Sequence, residues 1–309
     1  DVDADTHTIT ITDGANPQDA ATQSVTLDED DLPDGSSTNV PALTQVATLA
    51  FTAGSDTLGS FVFTGIGGLD TDANDGTAGG TIVWVMSPGD REIKGYVNGD
   101  AMTGQLAITL TLGGATSIDP NLAGNVTVTV TLADNFANIF ADNLQTSFDL
   151  GSVTVQGSDG DDTVTGVVNV TVIDDVPSVE IAPAVADDTP ATDTVAENGA
   201  NLSGAITLVE GADQDATLVI SGTGFADMSF TLNGAADVTL VRTVMNGPDE
   251  LGVLSVTVNA GGAASWTFNP SLDVAGEPSF SFTATITDAD GDVDADTHTI
   301  TITDGANPQ

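Results

Sequence analysis

"DADGDVDADTHTITITDG", residues 288–305, sets Asp at 288, 290, 292, 294 and 296 and then alternates Thr with Ile. Period-two alternation of β-branched residues reads as a strand with one face turned inward. On such an extended chain every second side chain shares a face, roughly 7 Å from the next. Carboxylates so placed repel each other unless a cation sits among them. The stretch from Asp292 onward, "DVDADTHTITITDGANPQ" (292–309), also stands letter for letter at 1–18. Chance does not produce such identity, so the sequence holds one period of a tandem array plus an overlap. The expectation is a piece of a longer protein, with any export signal or anchor elsewhere.

The same alternation recurs along the chain: "VATLAFT" (46–52), "QLAITLTL" (105–112), "NVTVTVTL" (125–132), "GVVNVTVI" (166–173), "LGVLSVTV" (251–258) and "SFSFTATIT" (279–287). Gly, Asn and Asp bound these runs, as in antiparallel strands with one wet face. Many short strands with turn signals between them predict an all-β chain of β-sandwiches. One stretch breaks the period. In "NFANIFADNLQTSF" (135–148), Phe136, Phe140 and Leu144 step by four, which fits either a short amphipathic helix or an irregular covering loop. Strand, Asp, short linker and Pro recur at "VIDDVP" (172–177) and "TITDGANP" (10–17). The predicted division is therefore 1–18 as the last strand and linker of a preceding repeat, 19–176 as domain 1, and 177–309 as domain 2 with its trailing linker. Residues 1–12 should find no place inside domain 1.

Composition narrows the function. Among 309 residues there are 46 acidic and 3 basic side chains, a net charge of −43. Nucleic acid is excluded as a partner, since phosphate neutralisation needs Lys and Arg, and direct contact with an anionic membrane is disfavoured on the same ground. No cysteine is present, so neither disulfides nor thiolate metal sites hold the fold. Charge of this size opposes a compact state unless cations are bound.

"ATITDADGDVDADTHTITITD" (284–304), preceded by "GGAASWTFNPSLDVAGEPSFSF" (261–282), resembles the endings of repeat modules in large bacterial RTX adhesins exported by type I secretion. "LDEDDLPDG" (27–35) and "LVEGADQDATLVISG" (208–222) resemble that repeat class more loosely. Domain 1 departs from it, ending in "QGSDGDDTVTGVVNVTVIDD" (156–175) with a shorter acidic loop. The resemblance implies two tandem Ig-like β-sandwich domains joined by a short calcium-binding linker. It also implies an extracellular protein on a bacterial cell surface, serving as an extender in attachment or biofilm formation, with neighbouring identical repeats as its partners.

The residues point to calcium independently. Ca2+ takes roughly six to eight hard oxygen ligands, and clustered carboxylates with backbone carbonyls supply them. "DADGDVD" is no EF-hand: its Gly291 stands at the fourth position rather than the sixth, and no Glu follows at the twelfth. The candidate ligands are Asp288, Asp290, Asp292 and Asp294 of the ladder, Asp174 and Asp175 of the linker, and Glu197. A second group is Asp159, Asp161, Asp162 and Asp13, with Glu29. Strand direction puts the ladder one strand length before the trailing linker, at the pole of domain 2 that faces domain 1. There Asp174, Asp175 and Glu197 are expected to join it, while Glu29 goes with the second group.

Catalysis lacks parts. His7 and His298 are the same repeat position, expected on the wet face; without Cys, and with a single His in each period, most nucleophilic and acid–base arrangements lack their parts. A glycosidase needs only two carboxylates, but one Tyr and two Trp leave few aromatic platforms for sugar. The other reading is a glycan- or peptide-binding module at "WVMSPGDREIKGYVNGD" (84–100), where Trp84, Arg91, Lys94 and Tyr96 gather. A plain hairpin whose cations pair with nearby acids is the alternative there.

Overall fold

The computed structural model describes residues 5–10, 12, 14–36, 43–71, 81–97, 99–136, 147–184, 192–272, 274–289 and 291–305. Asp13 and Asp290, Ile11 and most of the stretch at 135–148 lie outside these. In the first half the strands are β1 (Gln23–Asp28), β2 (Thr44–Thr52), β3 (Leu58–Phe63), β4 (Val83–Met86), β5 (Glu92–Val97), β6 (Gln105–Gly114), β7 (Ser117–Ile118), β8 (Ala123–Leu132), β9 (Ser147–Ser158) and β10 (Thr163–Ile173). The second half adds β11 (Ser178–Ile181), β12 (Thr192–Ala196), β13 (Leu202–Val209), β14 (Thr217–Gly222), β15 (Met228–Thr231), β16 (Val238–Asn246), β17 (Asp249–Val258), β18 (Ala264–Pro270), β19 (Ser279–Thr287) and β20 (Val293–Thr303).

Two β-sandwiches result. The first stacks β1-β10-β9-β3-β7 on β2-β8-β6-β5-β4, and the second stacks β12-β20-β19-β14-β15 on β11-β13-β18-β17-β16. Both share a central order, β2-β8-β6 over β1-β10-β9-β3 in the first and β13-β18-β17 over β12-β20-β19-β14 in the second, which is the B-E-D over G-F-C order of an immunoglobulin-like domain with a divided first strand; the edge strand β11 of the second is matched in the first by the single bridge of Gln18 to Thr52. Alternation builds the cores. Val126, Val128, Val130 and Leu132 of β8 turn inward and are buried, while the Thr residues between them face out. The two cores are separate clusters, one between Val25 and Val172 and the other between Val179 and Ile302. Ala212, from the loop between β13 and β14, crosses over and packs with the first. Ile9 is 77% exposed, and residues 5–10 and 12 form no strand.

One feature of the pairing decides where the acidic residues go. β1 runs parallel to β10, with Asp28 opposite Ile173, and β12 runs parallel to β20, with Ala196 opposite Thr303. The first long strand of each sandwich therefore ends at the same pole as the last.

The even positions of β20 all face inward. His298, Ile300 and Ile302 are buried there. The expectation of a wet histidine is thus corrected: period two carries His298 to the core face. Its Nε2 lies 2.9 Å from Asp193 Oδ2, and its ring packs near those of Trp266 and Phe282. Further back on the same face, Asp294 and Asp296 meet β11 of the opposite sheet. Asp294 accepts the Val179 N–H at 2.8 Å and Asp296 accepts the Ile181 N–H at 2.8 Å. An edge strand turns every second N–H away from its sheet partner, and here two carboxylates spaced by two residues receive two such amides spaced by two. This gives Asp294 a structural task, with one carboxylate oxygen given to a backbone amide.

Replacing Asp294 and Asp296 with Ala should leave both amides unsatisfied, at roughly 1–3 kcal/mol each. Hydrogen exchange at Val179 and Ile181 should speed up markedly while β18 and β19 stay protected; unchanged exchange there would refute the latch between the sheets.

Candidate metal centre

The joint between the sandwiches is built by strand ends. As β1 runs out, Asp28 caps a short 3-10 turn, Glu29–Asp31, by accepting the Asp30 N–H. The turn directs Glu29 inward, where it is 1% exposed. The parallel neighbour β10 runs out beside it into Asp174, 3% exposed, and Asp175, fully buried. From domain 2 comes Asp213, 1% exposed, in the loop between β13 and β14. One carboxylate oxygen each from Glu29, Asp174 and Asp213 lie within 4.8 Å of one another. Glu29 also accepts the Phe136 N–H at 2.8 Å, and the Asn135 amide donates to Asp213 across the joint.

Asp175 sits next to this trio and ties the domains together. Its carboxylate accepts the Ser36 N–H at 2.7 Å and the Ser36 hydroxyl from domain 1, and the Ala212 N–H at 2.9 Å from domain 2. Gln214 of domain 2 reaches the Asp34 carbonyl at 3.5 Å.

A cation would relieve the mutual repulsion of the trio. At an effective dielectric constant of about 20, two carboxylates at such a distance repel by roughly 3–4 kcal/mol. Three mutual pairs approach the whole stability of a domain, about 5–15 kcal/mol. Side chains do not supply the balance, because each basic residue is committed elsewhere. Arg91 donates to the Phe61 and Leu112 carbonyls, Lys94 pairs with Glu92 at 2.9 Å, and Arg242 donates to the carbonyls of Ala226, Val241 and Asp227. The donor set is all hard oxygen, without His or Cys, and fits a calcium ion.

The other candidates fall where the strand pairing sends them. Glu29 joins the linker residue Asp174 rather than the group of Asp159, Asp161 and Asp162, because β1 parallels β10. For the same reason Glu197 stands at the far pole of domain 2 and not with Asp174. Its N–H donates to the Thr303 carbonyl at 2.9 Å, beside Asp304, and its carboxylate accepts the Val274 N–H at 2.9 Å. Asp159, Asp161 and Asp162 form the turn between β9 and β10, where Asp159 accepts the Asp162 N–H at 2.8 Å. Asp288 and Asp292 are buried in the matching turn between β19 and β20, with Asp288 accepting the amides of Gly291 and Asp292. That turn does lie at the pole facing domain 1, since Thr287 pairs with Thr217 at the end of the Asp213 loop.

Asp213, Asn135 and Ser36 carry no motif that marks them in the sequence. The available signal for Asp213 was an acid just after a strand in "VEGADQDA" (209–216), at the pole the linker enters. The gathering of Trp84, Arg91, Lys94 and Tyr96 is corrected. Trp84 is buried against Gly95, where a Cβ would lie 2.7 Å from the indole, and donates its Nε1–H to the Asp70 carbonyl. With Arg91 held by backbone carbonyls, two of the four side chains are turned away from any shared exposed patch.

No family model matches the chain, and no curated protein is similar in sequence. Among solved structures, latent PorU from Porphyromonas gingivalis aligns at 12% identity and a TM-score of 0.23 over 94% of this chain; the chain spans 23% of that one. Domains 5–6 of the S-layer protein SbsC align at 12% and 0.21 over 96% of this chain and 99% of that one. The protocadherin gammaB7 EC3-6 structure aligns at 12% and 0.27, over 92% and 72%. Such scores carry no functional argument, and the fold class rests on the sheet order. Among the described residues no helix is long and apolar enough to cross a membrane.

Burial and neighbouring acids shift the titration of the joint. Removal from water, with the Asp30 charge adding to it, pushes Asp28 and Asp31 up to about 6. Burial also raises Asp175, against the hydrogen bonds from Ser36 and Ala212. A carboxyl raised by folding holds its proton more tightly in the native state, so stability falls as pH rises from about 4 through 6. In chelator, the melting temperature should therefore rise when the pH is lowered from about 7 to about 5. With calcium saturating, the rise should be smaller, because a cation beside Asp28, Asp31 and Asp175 favours their charged forms. Calorimetric scans across this range check it; a melting temperature that falls on acidification in chelator would count against it.

Proposed function

We propose that this chain is a non-catalytic, calcium-rigidified extender repeat of a bacterial cell-surface adhesin, holding an adhesive tip away from the cell. The observation that carries the reading is the trio Glu29, Asp174 and Asp213, which brings buried carboxylates from both domains to one point at their joint. An ion held there neutralises charge that folding concentrates, and it fixes one domain against the other. The 18-residue identity between 1–18 and 292–309 supports a role that needs length, met by identical repeats in tandem. Calcium and neighbouring copies of the repeat are the partners in this reading. The RTX-like endings support an extracellular site on the bacterial surface and export by type I secretion. The arrangement at 84–100 favours no glycan or peptide site, since Trp84 and Arg91 are taken up by the fold.

Extracellular-type calcium sites bind at about 0.1–1 mM. An ion present at a hundredfold excess over its dissociation constant adds about 2.7 kcal/mol, which raises the melting temperature by roughly 5–10 °C in domains of this size. Glu29→Gln, Asp174→Asn and Asp213→Asn should each lose most of that increment, whereas Glu197→Gln at the far pole should keep it. A melting temperature indifferent to calcium in the unaltered chain would overturn the reading.

A further inference from the structure

A repeating chain of this kind has two joints: the one inside the period, and the one from Asp304 into domain 1 of the next copy. The linker of the second joint is also present as residues 13–19, where its described part rests on domain 1. The two can be compared position by position. Gln18 bridges Thr52 as Ser178 pairs with Val209. Two residues further on, Gly54 and Gly211 each have a linker passing close by. A Cβ on Gly54 would fall 2.0 Å from the Ala15 carbonyl oxygen, and one on Gly211 3.2 Å from Asp175 Oδ2. The next residues both donate to the linker, Ser55 N–H to the Ala15 carbonyl at 2.7 Å and Ala212 N–H to Asp175 at 2.9 Å. Asp56, exposed, then stands where Asp213 stands. At the opposite pole of the molecule, Glu197 accepting the Val274 N–H repeats Glu29 accepting the Phe136 N–H.

The Asp175 latch, its carboxylate held between Ser36 and Ala212, does not carry over. Asp175, which collects Ser36 from one domain and Ala212 from the other, is replaced after Asp13 and Asp304 by Gly14 and Gly305. A side chain at Gly14 has no room, since its Cβ would lie 1.9 Å from Ser55 Oγ. The loop that presents Ser36, 29–43 between β1 and β2, has only 197–201 between β12 and β13 as its counterpart. The linker differs too: Pro177 follows Asp174 by three positions, and Pro17 follows Asp13 by four.

We propose that the joints of the array alternate in stiffness: the joint inside each period is locked by Asp175 between Ser36 and Ala212, and the joint between copies, which takes Asp56 of the next copy in place of Asp213, is where the array bends. Charge-assisted hydrogen bonds to a buried carboxylate hold geometry strongly, and a glycine in their place leaves the backbone its freedom. The interior joint has the further hold of Ala212 in the first core. This rests on the reading of the chain as a tandem repeat.

The test is a chain of two periods, 1–309 continued by a second 19–309, spin-labelled in saturating calcium. The chain has no cysteine, so Met102→Cys and Val241→Cys, at positions 92% and 51% exposed, take labels specifically. Pairing Met102 with Val241 of the same copy reads the inner joint. Pairing Val241 of the first copy with Met102 of the second reads the joint between copies. The distance distribution should be about twofold broader across the joint between copies, as for a hinge without its lock. Asp175→Gly should broaden the inner joint to match, and Ser36→Ala, which spares the backbone, should broaden it partway. Asp56→Asn should broaden only the joint between copies. Equal widths at the two joints, or an inner joint indifferent to both Asp175→Gly and Ser36→Ala, would overturn the proposal. Chelator separates the two readings. If it changes neither width and the difference persists, the calcium reading fails and the latch stands. If calcium narrows both joints to one width, the latch fails and the calcium reading stands.

Discussion

Like charge gathered where water is excluded is the constraint on which the rest of this molecule turns. Glu29, Asp174 and Asp213 lie within 4.8 Å of one another, and all are buried. With a net charge of −43 and 3 basic side chains in the chain, the fold cannot balance its acids by ion pairing. Elsewhere it disperses them to the surface or gives them backbone amides, as at Asp294, Asp296 and Asp288. At the joint it concentrates them from both sides. Folding and domain docking thus set a place for a cation, and in the proposed reading an ion bound there would hold one domain against the other.

The parallel pairing of the first long strand with the last makes this arrangement possible. It delivers Glu29 and Asp174 to one pole of domain 1 by register alone, Asp28 lying opposite Ile173. It repeats the delivery in domain 2, where Ala196 lies opposite Thr303 and Glu197 comes to rest beside Asp304. A sandwich that ends both strands at the leading pole carries a half-formed site there, and the following domain completes it. In the proposed reading, stiffness is a property of consecutive domains rather than of either one alone.

Much of this was legible in the residues. The Thr and Val alternation of "NVTVTVTL" fixed which side chains enter the core, and "VIDDVP" marked the joint. What strand patterns cannot express is the pairing direction. Nothing in "TLDEDD" or "TVAENG" says whether the strand before it runs with or against the last strand, and it is the parallel pairing that decides the poles of Glu29 and Glu197. A histidine ahead of a Thr/Ile strand reads as wet-facing, yet period two from Ile300 puts His298 inside. Asp213 escaped because its partners lie in the other domain, far away in sequence. Trp84 and Arg91 looked available because a list of residue types does not show which carbonyls they will meet.

Small-angle scattering on the intact chain, at fixed ionic strength with calcium and then with chelator, tests most directly whether a shared cation fixes the joint. The account predicts a well-defined maximum dimension in calcium and a broadened distribution with a shorter mean extension in chelator, each sandwich keeping its own shape. Superimposable curves in the two conditions would contradict it.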